Sequence, residues 1–279
     1  MQNEDSNSAD KLPNPDELPF VAPSNKLDTW DSLNWIKLGW KDFKTATGVS
    51  ITYGSMLFIV SWSLAILSWK LGGAVLLFSL LSGLVFIAPV LALGLYSVSC
   101  QIASGNKPKL AYCIREGKRH LGNEMVFSVV LLIVFLVWAR AGSGLHIFFP
   151  VESGAPLTEY LTFYAIGSAV GSIFAALVFC ASAFSLPMMM DRKADASTAV
   201  ITSINAFRKN KLPLFIWALI IGTSVLLCLL TGFLAMIVVM PIVGYATWHG
   251  YKQTIDAHLW EENRKLSEQY PNPGEEHPA

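Results

Sequence analysis

Charge is what this chain has least of. Aspartate, glutamate, lysine and arginine make up 14% of its 279 residues, against roughly 25% in a soluble domain. The formal net charge is zero, so no global field draws the chain to nucleic acid, and no nucleic-acid partner is expected. Cysteine is also scarce. Cys100, Cys113, Cys180 and Cys228 form no C-x-x-C pair, which argues against a disulfide framework or a zinc site. Thiols behave as small hydrophobes, and these four read as free and packed. Histidine occurs five times, too few for a haem–copper centre built from intramembrane histidines. The P-loop, G-x-S-x-G and H-E-x-x-H patterns are missing. No catalytic residue and no metal ligand is therefore assigned, and no cofactor is expected. The residues name no reaction and tend towards a non-enzymatic protein.

What the chain has instead is apolar length. The hydrophobic share is 53% and the mean hydropathy +0.47. A bilayer core about 30 Å thick takes about twenty apolar residues of helix. Candidate spans run over about 48–69, 73–99, 124–141, 160–186 and 212–251. The last is too long for one crossing, since forty helical residues reach about 60 Å. Thr231-Gly232 is the natural turn, dividing it into 213–231 and 233–251. Six uncharged runs leave no polar face for water, which excludes a soluble bundle. Basic residues cluster before the first span (Lys37, Lys41, Lys44), between spans two and three (Lys107 to Arg119), between four and five (Arg192 to Lys211) and after the sixth. The other three connections hold only Lys70 and Arg140. Lys and Arg mark cytoplasmic loops, so six spans with both termini cytoplasmic are expected. The middle of each span lacks ionisable groups, which ion- or proton-coupled transport usually needs.

The segment before the first span, SLNWIKLGWKDFK, is amphipathic. Leu33, Ile36, Trp40 and Phe43 fall on one side at helical spacing, and Lys37, Lys41 and Lys44 on the other. Such a helix lies in the interface plane. Its lysines face anionic headgroups, worth about 1 kcal/mol each, and Trp35 and Trp40 are expected at headgroup depth. Segments 107–120 and 195–211 look like the same device. In the latter Val200, Ile204 and Phe207 share a face, and Asp195 is placed to cap the helix. Each returning span carries a proline near its inner end, Pro89, Pro187 and Pro241. The expected fold is all-α: a polytopic membrane protein of three helical hairpins, each preceded by a cytoplasmic amphipathic helix. Parallel repeats of this kind are related by an axis along the membrane normal. The polar, proline-rich stretches 1–27 and 257–279 read as disordered cytoplasmic tails. The first has no apolar core of a cleavable signal peptide. Gly167 and Gly171 form a small-xxx-small pair suited to helix packing, within one chain or between copies.

These segments carry a resemblance. IAPVLALGLYSVS, FSLPMMMDR, TSINAFRKNKLPLFIWA and PIVGYATWHGYK resemble the uncharacterised bacterial six-span integral membrane proteins classed as a domain of unknown function, over residues 28–256. Some members carry a cytochrome c oxidase subunit label. The resemblance implies a bacterial inner-membrane location and brings no catalytic residues. His249, between Trp248 and the end of the sixth span, is the one candidate for cofactor binding; an interfacial aromatic belt with a histidine at headgroup depth is the plainer reading of it. Asp191 and Arg192, after Pro187, read as an ion pair stopping the fourth span, or as a latch to a neighbouring interfacial helix. Three roles suit this chain: organising lipid or supporting a partner complex in the membrane, passing a neutral or apolar solute, or serving a respiratory oxidase as an accessory subunit. The bilayer and its anionic lipids are the expected partners, with a homo-oligomer or membrane complex beside them.

Overall fold

A computed structural model describes residues 19–71, 91–113, 121–148 and 156–263. All its regular elements are helical. They are α1 (Asp31–Thr45), α2 (Thr47–Leu71), α4 (Leu121–Phe148), α5 (Leu157–Ser182), α6 (Ser185–Asp191), α7 (Ala196–Lys209), α8 (Lys211–Leu230) and α9 (Met236–Thr254), with α3 (Leu91–Ala103) between α2 and α4. Only two isolated bridges, Ser24 with Ile255 and Arg192 with Glu262, add extended pairing among the described residues.

Four helical stretches are long and apolar enough to cross a membrane: Thr47–Lys70, Met125–Gly142, Leu157–Asp191 and Lys211–Leu230. They correspond to the first, third, fourth and fifth expected spans. In lipid a helix satisfies its own backbone, and α4 accordingly continues through Gly142 and Gly144 to Phe148 instead of ending near 141. The second expected span, 73–99, lies largely outside the described residues, as do Pro89, residues 114–120 of the second amphipathic segment and the connection 149–155. The sixth differs from expectation. The helix is there, over Met236–Thr254, but it falls short of the other four in apolar length. Its second half, from Gly244 to Tyr251, is mostly buried in protein. The turn before it is where length demanded it. Gly232 and Phe233 adopt φ of 58° and 68°, and the Phe233 N–H returns to the Cys228 carbonyl at 2.7 Å.

The core sits at the lysine-bearing end. There α1 packs along α9, and α9 along α2. Trp35, fully buried, is its centre: the ring meets Trp217 edge-on at 5.5 Å and Phe184 at 6.1 Å, and its Nε1 donates to Gln253 at 2.6 Å. The expected headgroup position for Trp35 is thus corrected to the protein core. Trp40 does face outward, with Lys37, Lys41 and Lys44 exposed beside it. The buried face of α1 is Ser32, Trp35, Gly39, Asp42 and Phe43, while Leu33 and Leu38 are exposed. α7 repeats the arrangement. It buries Thr198, Ala199, Thr202, Ser203 and Ala206 and leaves Ile204, Arg208 and Lys209 outside. Asp195 caps it as expected, accepting from the Thr198 N–H.

Parts of both expected tails are packed against the core. Residues 19–27 are held by the core: Ala22 N–H donates to Thr202 Oγ1 at 3.0 Å and Leu27 N–H to Asn210 Oδ1 at 2.9 Å. Residues 257–263 are held too, with Trp260 buried and Asn263 Nδ2 donating to the Met189 and Arg192 carbonyls at 2.7 and 3.0 Å.

Candidate functional site

Close approach of α1, α2 and α9 depends on glycine. A Cβ on Gly39 would stand 2.6 Å from the Ile242 carbonyl oxygen, and one on Gly54 2.1 Å from that of Ile237. The second contact has a cause in the sequence. Pro241 has no N–H, so the Ile237 carbonyl loses its i+4 donor. That oxygen instead faces the Cα of Gly54, in the geometry of a weak Cα–H···O contact. Gly94, Gly244 and Gly250 are equally hemmed in, by Tyr53, Leu95 and Trp35. Gly167 and Gly171, the expected packing pair, behave differently: nothing lies within 4 Å of a Cβ on Gly167, and only Trp138 Nε1, at 3.7 Å, near one on Gly171. Among the described residues the tight helix contacts are elsewhere.

Where these helices meet, polar groups gather in two clusters. In the first, Asp42 of α1 is buried, with His249 Nε2 at 2.7 Å and Ser99 Oγ at 2.7 Å, both on Oδ2. Ser99 lies at the end of α3, so one carboxylate ties α1, α3 and α9 together. Alongside, Tyr245 and Ser50 share a hydrogen bond of 2.8 Å. Nucleophilic catalysis would need the serine on the histidine. Here both donate to the same carboxylate oxygen, and Ser99 is 1% exposed, so the trio is a structural tie. His249, the candidate cofactor ligand, directs Nε2 at Asp42. No group of three or more His, Cys, Asp or Glu side chains that could hold a metal occurs among the described residues, and the four cysteines form no disulfide.

The second cluster surrounds Asp191. Its Oδ2 receives Arg192 Nε at 3.1 Å, Tyr251 OH at 2.8 Å and Lys252 Nζ at 3.2 Å. Arg192 continues outward to the Trp260 carbonyl at 3.0 Å and Glu262 at 3.3 Å. Partial burial works to lower the Arg192 pKa, but Asp191, Tyr251 and Glu262 outweigh it and raise it above its ordinary value. Asp191 and Arg192 thus join α6, α9 and the 257–263 segment. Lys252, the basic partner of Asp191, belongs to the end of α9 and not to an interfacial helix. Pro187 and Pro241 are buried in the same layer.

Two openings lie outside this layer among the described residues. One is an apolar groove of about 350 Å³ between α4 and α5, lined by Trp138, Gly171 and Phe174 among others. The other is a more polar cleft of about 540 Å³ between the α1–α2 junction and the loop after α3, lined by Thr45, Thr47, Gly48, Asn106, Lys107 and Pro108 with their neighbours.

Sequence reasoning missed Asp42, Ser99, Gly39, Gly54 and Tyr251. Asp42 sits in a lysine-rich stretch and reads there as a solvated charge. Its position three residues past Gly39, and seven past Trp35, was the available signal for a buried stripe.

Residues 76–191 match the model of a family described as a predicted integral membrane protein, DUF2189. The match runs from before α3 to Asp191 and so takes in IAPVLALGLYSVS and most of FSLPMMMDR; the quoted segments of α7, α8 and α9 lie beyond it. No curated protein and no solved structure matches the chain.

Proposed function

We propose that this chain is a non-catalytic protein of the bacterial inner membrane that gathers anionic lipid at the cytoplasmic face and supports a membrane partner there. In this reading its spans number six, in three hairpins, with both termini cytoplasmic. One observation carries the proposal. α7 turns a small and hydroxyl-bearing face into the protein, α1 turns in Ser32, Trp35, Gly39, Asp42 and Phe43, and both leave leucine, isoleucine or tryptophan outside together with lysine or arginine. Water is a poor solvent for such a surface. An acidic headgroup layer suits it, because apolar side chains enter the acyl boundary and cations meet phosphate. The stacked Trp40 and Phe43 rings, with Lys44 Nζ 5.3 Å from the Trp40 ring centre, fit the aromatic level of a membrane.

The test neutralises Lys37, Lys41 and Lys44 together as glutamine. Protein extracted in native lipid discs is then compared with wild type for co-extracted lipid and co-recovered membrane proteins. The variant is expected to lose its enrichment in anionic lipid and part of its protein complement. Identical profiles would overturn the proposal.

A further inference from the structure

The loop after α3 is built more carefully than a connection needs to be. α3 ends in a Schellman turn: Gly105 has φ +77°, its N–H returns to the Ile102 carbonyl at 3.0 Å, and the Asn106 N–H returns to the Gln101 carbonyl at 3.0 Å. Gln101 is fully buried, and its side-chain Oε1 accepts the Lys109 N–H at 2.9 Å. One buried residue therefore holds both ends of the segment 106–109. The groups between those ends are left over. Among the described residues nothing accepts from the Asn106 side-chain amide, the Lys107 backbone N–H or the Lys107 ammonium. All belong to residues lining the cleft of about 540 Å³.

The opposite wall is the junction of α1 and α2. Thr45 and Thr47 spend their hydroxyl protons on the carbonyls of Lys41, Phe43 and Lys44, so donors to a ligand come from the loop. None of the described residues lining the cleft is acidic. The nearest carboxylate along α1, Asp42, is buried and occupied by Ser99 and His249. Lys41 and Lys44 flank one wall in sequence and Lys109 the other. The result is a cleft whose lining holds one lysine and the unspent donors of Asn106 and Lys107, suited to an oxyanion with several acceptor atoms. One turn along α2 from Thr47 the apolar surface begins, with Ile51 exposed and Ile59 and Val60 beyond it.

We infer that this cleft binds the phosphate of an anionic phospholipid, held by Asn106 and Lys107, with its acyl chains running down α2. This rests on the membrane-interface reading of α1 above but assigns a discrete site where that reading needs only a diffuse surface. The chemistry, a phosphate ester, is shared with soluble phosphates, and the exposed strip of α2 selects the lipid.

The experiment reconstitutes the full chain in nanodiscs of phosphatidylcholine with a minor share of phosphatidylglycerol and reads retained lipid by native mass spectrometry. Wild type, the pair N106A/K107Q and, as a measure of the diffuse basic surface, R208Q/K209Q on α7 are compared. Wild type should retain phosphatidylglycerol. N106A/K107Q should lose about tenfold of that retention, the change expected for removal of a charge-assisted hydrogen bond, and R208Q/K209Q, which thins only the diffuse surface, should lose clearly less. Equal losses in both pairs would overturn the site and leave the broader reading standing. No preference for phosphatidylglycerol in wild type would remove both. In a parallel arm inorganic phosphate and glycerol 3-phosphate are added to detergent-solubilised protein. If they raise the unfolding temperature of wild type but not of N106A/K107Q, with lipid retention equal, the ligand is a soluble phosphate and the lipid assignment falls.

Discussion

Two regions of this molecule use the same amino acids for opposite purposes. Along the four apolar stretches, only 11–22% of each span window is buried by the chain itself. Leucine, isoleucine and valine there face outward, and glycines such as Gly142, Gly167 and Gly222 meet no described residue within 4 Å of where a Cβ would go. In the layer at the lysine-bearing end the inside is made of tryptophan, tyrosine, methionine, hydroxyls and glycines pressed against backbone. Hydrophobicity thus reports which solvent a surface meets, and size and shape report what packs. In the spans a leucine is an address. In the layer it is a tryptophan and the glycine beside it that hold the helices together.

The largest expected effect contrasts two tryptophans of one helix. Trp35→Ala opens a hole between Phe184, Trp217 and Gly250 and frees Gln253, and should cost about 3–5 kcal/mol. Trp40→Ala, on the outer face of α1, should stay within about 0.5 kcal/mol. Thermal unfolding of both variants in one detergent decides the matter. Similar losses would mean that the division between packed layer and lipid-facing surface is misdrawn.

The glycines sharpen the same contrast. Gly54→Ala drives a methyl group into the Ile237 carbonyl, and α2 and α9 must separate, at about 1–3 kcal/mol. Gly167→Ala meets nothing among the described residues and gains helix propensity, up to about 1 kcal/mol. Unfolding temperature should therefore fall in the first variant and hold or rise in the second. A fall for Gly167→Ala accompanied by a changed oligomeric mass would instead identify that stripe as a seam between copies.

How much of this was legible in advance follows the same division. Membrane character, four of the apolar stretches, the fold-back at Thr231-Gly232 and the Asp195 cap could be read, because apolar length and capping chemistry act locally. The inward faces of α1 and α7 could not. Apolar periodicity singled out Leu33, Ile36, Trp40 and Phe43, but beside a bilayer an apolar stripe is as well satisfied by lipid as by protein, so it does not say which way is in. The half-buried α9 was hidden for a related reason. Its second half, GYATWHGYKQT, is too polar for lipid and too aromatic for water, and only its neighbours explain it. Pro241 was noticed as a mark of repetition, whereas its physical effect, a carbonyl released towards Gly54, depends on a helix nearly two hundred residues away.

The smallest effect tests the edge of the packed layer, where ordinary aqueous chemistry applies. Asp195 lies outside the spans. Partial burial disfavours its charge, but hydrogen bonds from Ser197 and Thr198 prevail and hold its pKa below the usual carboxylate value. A carboxylate whose pKa is lower folded than unfolded binds fewer protons in the native state. Its stabilisation is complete above the unfolded value of about 3.9 and disappears as pH falls through the depressed one. Asp195→Ala should cost about 1 kcal/mol at neutral pH, seen as faster amide exchange in the first turn of α7. The difference from wild type should close as the solution is acidified below that range. Asp195→Asn, which keeps the acceptor without the charge, should retain most of the cap and show no such pH dependence. A gap between Asp195→Ala and wild type that persisted in acid would assign the effect to lost contacts and not to the ionised cap.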